Sequence, residues 1–407
     1  MTARASVLGI KPKMSSVQST RRPGVRASLR MMVEWYAAHV YGQLEGAGTV
    51  PFYCDAAKVG RFAVDPASLA RGDEAAVFGL FVALTMYQSR RDVDIMQKQR
   101  EMPAPAAAAL VDPRRIQLAV TQSRCEKFDD AATFDEACDV QRTFVRDGAS
   151  RDAATCKHRP RTPCHVKDAS QAIGRMGDLG KMATSAWLHL QTLPAAMTLA
   201  AGDAVVATRT ATLPSTAADL APMANGYAAT LRNVAAPARA RKDEGHQVGF
   251  AALFAAICRR YATPAQRAAA MVDAVATFYH VGEKLASMFV AALSTPALAP
   301  GLTPWFPALD GNSLLVIDTN VGRVIAALRP GGAKTYAARS AWLRKHAAAI
   351  DLSTVRADWP AHSPRLMQQA LYWYRSRSNR DAVGLGCGHV TQESSNYCVA
   401  RICPYAA

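Results

Sequence analysis

"YHVGEKLASMFVAAL", residues 279–293, opens on a turn and continues as a helix. Gly282 permits a tight turn, and Leu285, Met288, Phe289 and Leu293 then recur on one helical face. The stretch before it, "TPAQRAAAMVDAVATFYH", residues 263–280, carries a helix start signal: Thr263 as N-cap, Pro264 at the first helical position and Gln266 completing a capping box. That helix is predicted to run to about Phe278, so the two form a helical hairpin around "HVGEK". The amides opening its second helix suit a phosphate group. "LLVIDTNVGRVIAAL", residues 314–328, follows the same plan, a short apolar run and then a stripe of Val321, Val324, Ile325 and Leu328. Each stretch delivers one ionisable residue to a helix start, Lys284 in the first and Asp318 in the second. Taken singly, Asp318 reads as an N-cap and Lys284 as a solvated surface lysine.

The rest of the chain sets the frame for that pair. A sequence of 407 residues, half of them hydrophobic, can bury a large core and should form two or three domains. Alanine is abundant and aromatics sparse, which predicts an all-α fold. No uninterrupted apolar stretch reaches transmembrane length, so no membrane span is expected. Lys and Arg number 48 against 32 Asp and Glu, a net charge of +16. That balance favours a polyanionic partner, nucleic acid or an acidic membrane surface, although a solvated basic surface accounts for it equally well. The first acidic residue is Glu34, and seven basic residues precede it. Residues 1–33 therefore read as a basic, disordered tail: a transit peptide, a DNA-grazing arm or a start codon assigned too early. No secretory h-region stands there, so the nine cysteines are expected as thiols or metal ligands rather than disulfides.

Further along, residues 30–43 are predicted as a first helix and residues 73–96 as a longer one, apolar on nearly every side and hence buried. "MPAPAAAALVDP", residues 102–113, reads as a linker. Residues 120–170 are polar and hold Cys125, Cys138, Cys156 and Cys164, with His158 and His165 beside two of them. A zinc-stabilised insertion is conceivable there, but the spacings match no standard zinc pattern. Residues 192–240, Ala-rich with scattered Pro and Gly, read as linking material. Helical spacing resumes with Phe250, Leu253, Phe254 and Ile257.

Together, "VGEKLASMF" and "VIDTNVGRVI" resemble the signature of the helix-hairpin-helix DNA glycosylase superfamily, endonuclease III type. There a hairpin of the form L-P-G-V-G-x-K-x-A precedes an apolar run and V-D-T-H-x-x-R-V. The resemblance puts Lys284 on the family's Schiff-base lysine and Asp318 on its catalytic aspartate, with Arg323 and Val324 continuing the match. "LFVALTMYQSRRD" is similar to the family's L-L-x-A-Q-x-x-D, which puts Gln88 on a residue that fills the gap left by an extruded base. The likeness covers roughly residues 75–100, 245–330 and the C-terminal tail, with no counterpart for the middle. It implies a damaged or modified base in double-stranded DNA as substrate, with Tyr87, Gln88, Arg90, Arg91, His280, Gly282, Thr319 and Asn320 at the DNA. His280 stands where the family has the hairpin's first glycine, and Phe278-Tyr279 replace Leu-Pro. "STPALAPGLTPWFPALDGNS" lengthens the Lys284–Asp318 separation and brings Trp305 and Phe306, which either pack over this insertion or touch an unstacked base.

The chain ends "GLGCGHVTQESSNYCVARICPYAA". Relatives of endonuclease III often close with Cys-x6-Cys-x2-Cys-x5-Cys around an iron–sulfur cluster. Here Cys387, Cys398 and Cys403 are present and a fourth cysteine is not; His389 could complete the set for a [4Fe-4S] cluster or for zinc. Buried thiols without metal are the other reading.

The expected architecture is two helical domains with a DNA cleft between them. Residues 34–75 and 319–407 would form the terminal domain. Residues 76–318 would form the hairpin domain, interrupted by an insertion at about 101–244. The expected function is a monomeric DNA glycosylase with AP lyase activity, working in the cytoplasm or nucleoid of a bacterium or in a eukaryotic nucleus or organelle. One rival is a non-catalytic DNA-binding protein of the same fold; another is an enzyme acting on RNA or modified foreign DNA.

Overall fold

The computed structural model describes residues 23–88, 91–111, 183, 186, 190, 249–278, 281–386 and 402–405. The four cysteines of the expected zinc insertion and the Ala-rich stretch at 192–240 lie outside these residues. Among those described the architecture is helical, with a single isolated bridge between Tyr41 and Glu45 and no named strand. No helix among them is long and apolar enough to cross a membrane.

The first helix, α1, spans Val25–His39 and so begins inside the stretch expected to be a disordered tail. The reason is burial: Ser28, Leu29, Met32 and Val33 face the core, and folding recovers the cost of ordering them. Two short helices follow, α2 (Ala56–Val59) and α3 (Pro66–Ala70), each opened by an aspartate that accepts an amide hydrogen bond. The apolar run expected as one helix over 73–96 is two, α4 (Glu74–Thr85) and α5 (Asp92–Glu101). The Gln88 side chain folds back onto the Thr85 carbonyl at 3.1 Å and closes α4. Asp92 and Asp94 in the first turn of α5 favour a fresh start there by opposing its dipole. The expected linker is also helical, α6 (Ala104–Val111), because Ala107 and Leu110 have a core to bury against.

Helix α7 (Phe250–Arg260) resumes the chain under an unusual cap. The carboxylate of Glu74, at the start of α4, accepts the amides of Phe250 and Ala251 at 2.8 and 3.0 Å. Helix α8 (Pro264–Val275) has the expected capping box, with both of its hydrogen bonds made. After residues 276–282 comes α9 (Glu283–Ser294). The C-terminal part adds α10 (Thr319–Leu328), α11 (Tyr336–Ala347), α12 (Pro364–Arg375) and α13 (Arg377–Ala382).

Two buried clusters organise these elements. The first joins α2 to α9 around Phe81, Phe250 and Phe289; the Phe250 and Phe289 rings lie 4.9 Å apart, and Phe81 meets Phe289 edge-on at 5.4 Å. Trp305 closes this cluster by stacking on Phe254 at 5.8 Å, which settles its role as packing, while Phe306 is 44% exposed. Ala183, Ala186 and Leu190 also join it, so the expected insertion contributes to the core. The second cluster joins α1 to α10, α11 and α12 through Leu29, Tyr36, Val324, Ile325, Leu343 and Leu371. Residues 53–69, expected with the terminal helices, belong to the first cluster instead. The chain passes from one cluster to the other between adjacent residues: Leu314 packs in the first and Leu315 in the second. This crossing is neither helix nor strand. The Tyr336 hydroxyl donates to the Leu315 carbonyl at 2.7 Å, and the Val316 amide donates to Gln368 at 3.2 Å.

Candidate active site

The turn before α9 is seated by its apolar residues. Phe278 and Val281 are buried in the first cluster, and the Val281 amide donates to the Phe278 carbonyl at 3.0 Å. Gly282 then caps α9 with φ −89° and ψ 176°, extended backbone open to any residue. A side chain there would meet nothing within 4 Å, and the glycine itself brings no capping group to the helix. What the glycine provides is open space above the first amides, where an anion can approach. Lys284, in the first turn of α9, is half-buried, and its Nζ donates to the Tyr87 carbonyl at 3.1 Å.

Asp318 sits where the crossing segment ends. Its Oδ1 accepts the Val321 amide at 2.7 Å and so caps α10, whose stripe of Val321, Val324 and Ile325 is held in the second cluster. Burial pushes the Asp318 carboxyl above the ordinary aspartate range; the Val321 amide and the Lys284 charge pull it down, and the Asp92 carboxylate adds to the rise. A carboxylate placed this way is a stronger base than a solvated one. Lys284 and Asp318, brought in by different helices, therefore share one electrostatic neighbourhood.

Tyr87 and Gln88, just after α4, lie on the third side. The Tyr87 ring, expected at the DNA, is buried: it meets Phe52 edge-on at 5.4 Å and its hydroxyl donates to Gln99 at 3.4 Å. Lys284 meets its carbonyl and not its ring. Gln88 is half-buried on the Thr85 carbonyl. Arg91 is exposed and forks onto Asp94 through Nε and Nη2 at 2.9 and 2.8 Å. Thr319 is exposed at the start of α10 and Asn320 half-buried beside it. Arg90 and His280 lie outside the described residues.

No family model matches the chain, nor does any curated protein or solved structure. The chemistry of the site rests on the geometry of its own side chains.

That geometry adds residues that the sequence reading did not single out. The Tyr372 hydroxyl of α12 donates to Asp92 Oδ2, and Asn379 of α13 donates to Asp92 Oδ2 at 3.1 Å and to Tyr372 Oη at 2.7 Å. Burial holds the Tyr372 phenol well above its ordinary range, and the Asp92 and Asp318 carboxylates reinforce this. The partners are 280 positions apart, a separation that leaves no local sequence signal.

Of the C-terminal ligand set, Cys403 is described and buried; Cys387, His389 and Cys398 lie outside the described residues. Arg380 gathers the two ends of that segment. Its Nε and Nη2 donate to the Leu385 and Gly386 carbonyls at 2.9 and 3.2 Å, and its guanidinium lies over the Tyr405 ring at 4.9 Å. Three thiols and an imidazole suit zinc, and fall one thiolate short of an ordinary cubane cluster. Among the described residues no group of three or more His, Cys, Asp or Glu is arranged to hold a metal.

Proposed function

We propose that this protein is a DNA glycosylase with accompanying AP lyase activity, acting on a damaged or modified base in duplex DNA. The observation that supports it most is the pairing of Lys284 and Asp318, one amine and one carboxylate at two helix starts: the lysine charge acts on the Asp318 carboxyl, and its amine rests on Tyr87, next to Gln88. Phosphate binding alone requires no carboxylate at such a place, which weighs against a non-catalytic DNA-binding protein.

The chemistry runs as follows. A base in a duplex is rotated out before its sugar can be reached, and Gln88 would fill the vacated space after leaving the Thr85 carbonyl. The Lys284 nitrogen forms a bond to C1′ as the glycosidic bond breaks, and the bonding electron pair departs with the base. Asp318 steadies the positive charge that develops on the sugar and takes the proton released by the nitrogen. Opening of the sugar ring then gives an imine, from which strand cleavage proceeds. Gly282 and the first amides of α9 would receive a backbone phosphate, with Thr319 and Asn320 facing DNA from α10.

Borohydride reduction of that imine is the test. Wild-type protein mixed with a duplex holding one abasic site should give a covalent protein–DNA adduct, and Lys284→Gln should give none. Equal trapping by the variant would remove Lys284 as nucleophile.

A further inference from the structure

The Asp92–Tyr372–Asn379 cluster has no part in the chemistry above, yet it stands next to it. We propose that Tyr372 and Asn379 are positioning residues for the Lys284–Asp318 pair: by gripping Asp92 they fix the start of α5 and, through the Gln99–Ala83 hydrogen bond, the end of α4, where the Tyr87 carbonyl holds the lysine amine. The catalytic side of this inference rests on the glycosylase reading; the mechanical side does not.

The connectivity supports it. Helix α5 belongs with the first cluster, tied to α4 by a buried hydrogen bond from Gln99 to the Ala83 carbonyl at 2.9 Å. Tyr372 rises from α12, whose Leu366, Ala370 and Leu371 are core residues of the second cluster. The grip on Asp92 is therefore a polar link between the two clusters, five residues beyond the carbonyl on which Lys284 rests. Two donors converge on one carboxylate oxygen, and such charge-assisted bonds are strong and directional. Because the Asn379 amide also donates to Tyr372 Oη, the hydroxyl proton is directed to Asp92. Asp318 feels the charges of Lys284 of α9 and Asp92 of α5, besides the hydrogen bonds of the Asn320 and Val321 amides of its own helix, and its own carboxylate helps hold the Tyr372 phenol of α12 protonated.

Two measurements on the full-length protein test this without knowledge of the excised base. Borohydride trapping on an abasic-site duplex, followed in a single turnover against pH, reads the chemistry. Reductive methylation without DNA, quantified at Lys284 by peptide mass spectrometry against exposed Lys345, reads how firmly the amine is held. Tyr372→Phe keeps the ring and removes the hydroxyl; Asp92→Asn keeps the shape and removes the charge. Each should slow trapping by about tenfold at unchanged duplex affinity and raise relative methylation of Lys284 by about tenfold. Asp92→Asn should also carry the acidic limb of the trapping profile to lower pH, a shift that loosened packing alone would not produce. Methylation of Lys284 at the wild-type rate in both variants would overturn the clamp. A wild type that traps no DNA while methylation still responds to Tyr372→Phe would instead discard the glycosylase reading and leave the clamp standing.

Discussion

At Asp318 the carboxylate that caps α10 also lies in the field of Lys284, so substitution here separates a structural role from a chemical one. Asparagine still caps a helix, and the capping loss in Asp318→Asn should stay well under about 1 kcal/mol. On the proposed glycosylase reading, base release needs a proton acceptor and a negative charge, and should fall by about 10²-fold or more with DNA affinity nearly unchanged. Normal turnover by the folded variant would return Asp318 to a cap and nothing else. The pH dependence of stability has a definite sign. The folded carboxyl is raised above its unfolded value, so its contribution is fully present below the unfolded value and is lost as pH rises through the folded one. The melting temperature of Asp318→Asn relative to wild type should therefore be more favourable at neutral pH than near pH 3, which thermal unfolding at the two pH values would measure. A cap of this kind is legible in sequence, because an aspartate ahead of an apolar stripe is a local pattern. Asp92 has the same local look, but its bonds to Tyr372 and Asn379 come from packing across the whole chain.

Among the elements, those with local start signals were legible and those defined by remote contacts were not. Thr263, Pro264 and Gln266 predict α8 by themselves. The break between α4 and α5 did not show, because the apolar run continues past Thr85 and only the folded-back Gln88 and the acids of α5 end it. Helix α6 read as a linker since alanine carries no periodic signal of its own. Helix α7 also depends on a remote residue, with its first two free amides capped by Glu74. Gly249, which precedes it, has φ +101°, and a Cβ there would lie 2.5 Å from the Glu74 carboxylate. Gly249→Ala should then incur backbone strain and displace the cap together, destabilising by about 1–3 kcal/mol in urea unfolding. An unchanged midpoint would show that the Glu74 cap contributes nothing to α7.

For the whole molecule, charge gives the broadest test of what it binds. A chain with net charge +16 that grips backbone phosphates releases condensed counterions as it binds, so its affinity should fall steeply as salt rises. With about six phosphates contacted, raising salt from about 50 to 200 mM should weaken duplex binding by roughly 10³-fold. A lesion in the duplex should recover part of this, since a damaged base costs less to flip. Arg91 is exposed and shares its charge with Asp94 in an exposed pair that contributes little stability, so it can turn to a phosphate at small cost. Reversing charge at Arg90 and Arg91 together should weaken binding and flatten the salt slope, with folding intact. The two-cluster organisation makes the same experiment discriminating, because Arg91 directly precedes Asp92, through which the clusters are linked. A variant that loses affinity without a change in slope would place the phosphate contacts elsewhere on the basic surface. Binding to acidic lipid vesicles over the same salt range, with no preference for duplex DNA, would sink both the glycosylase and the simple DNA-binding protein.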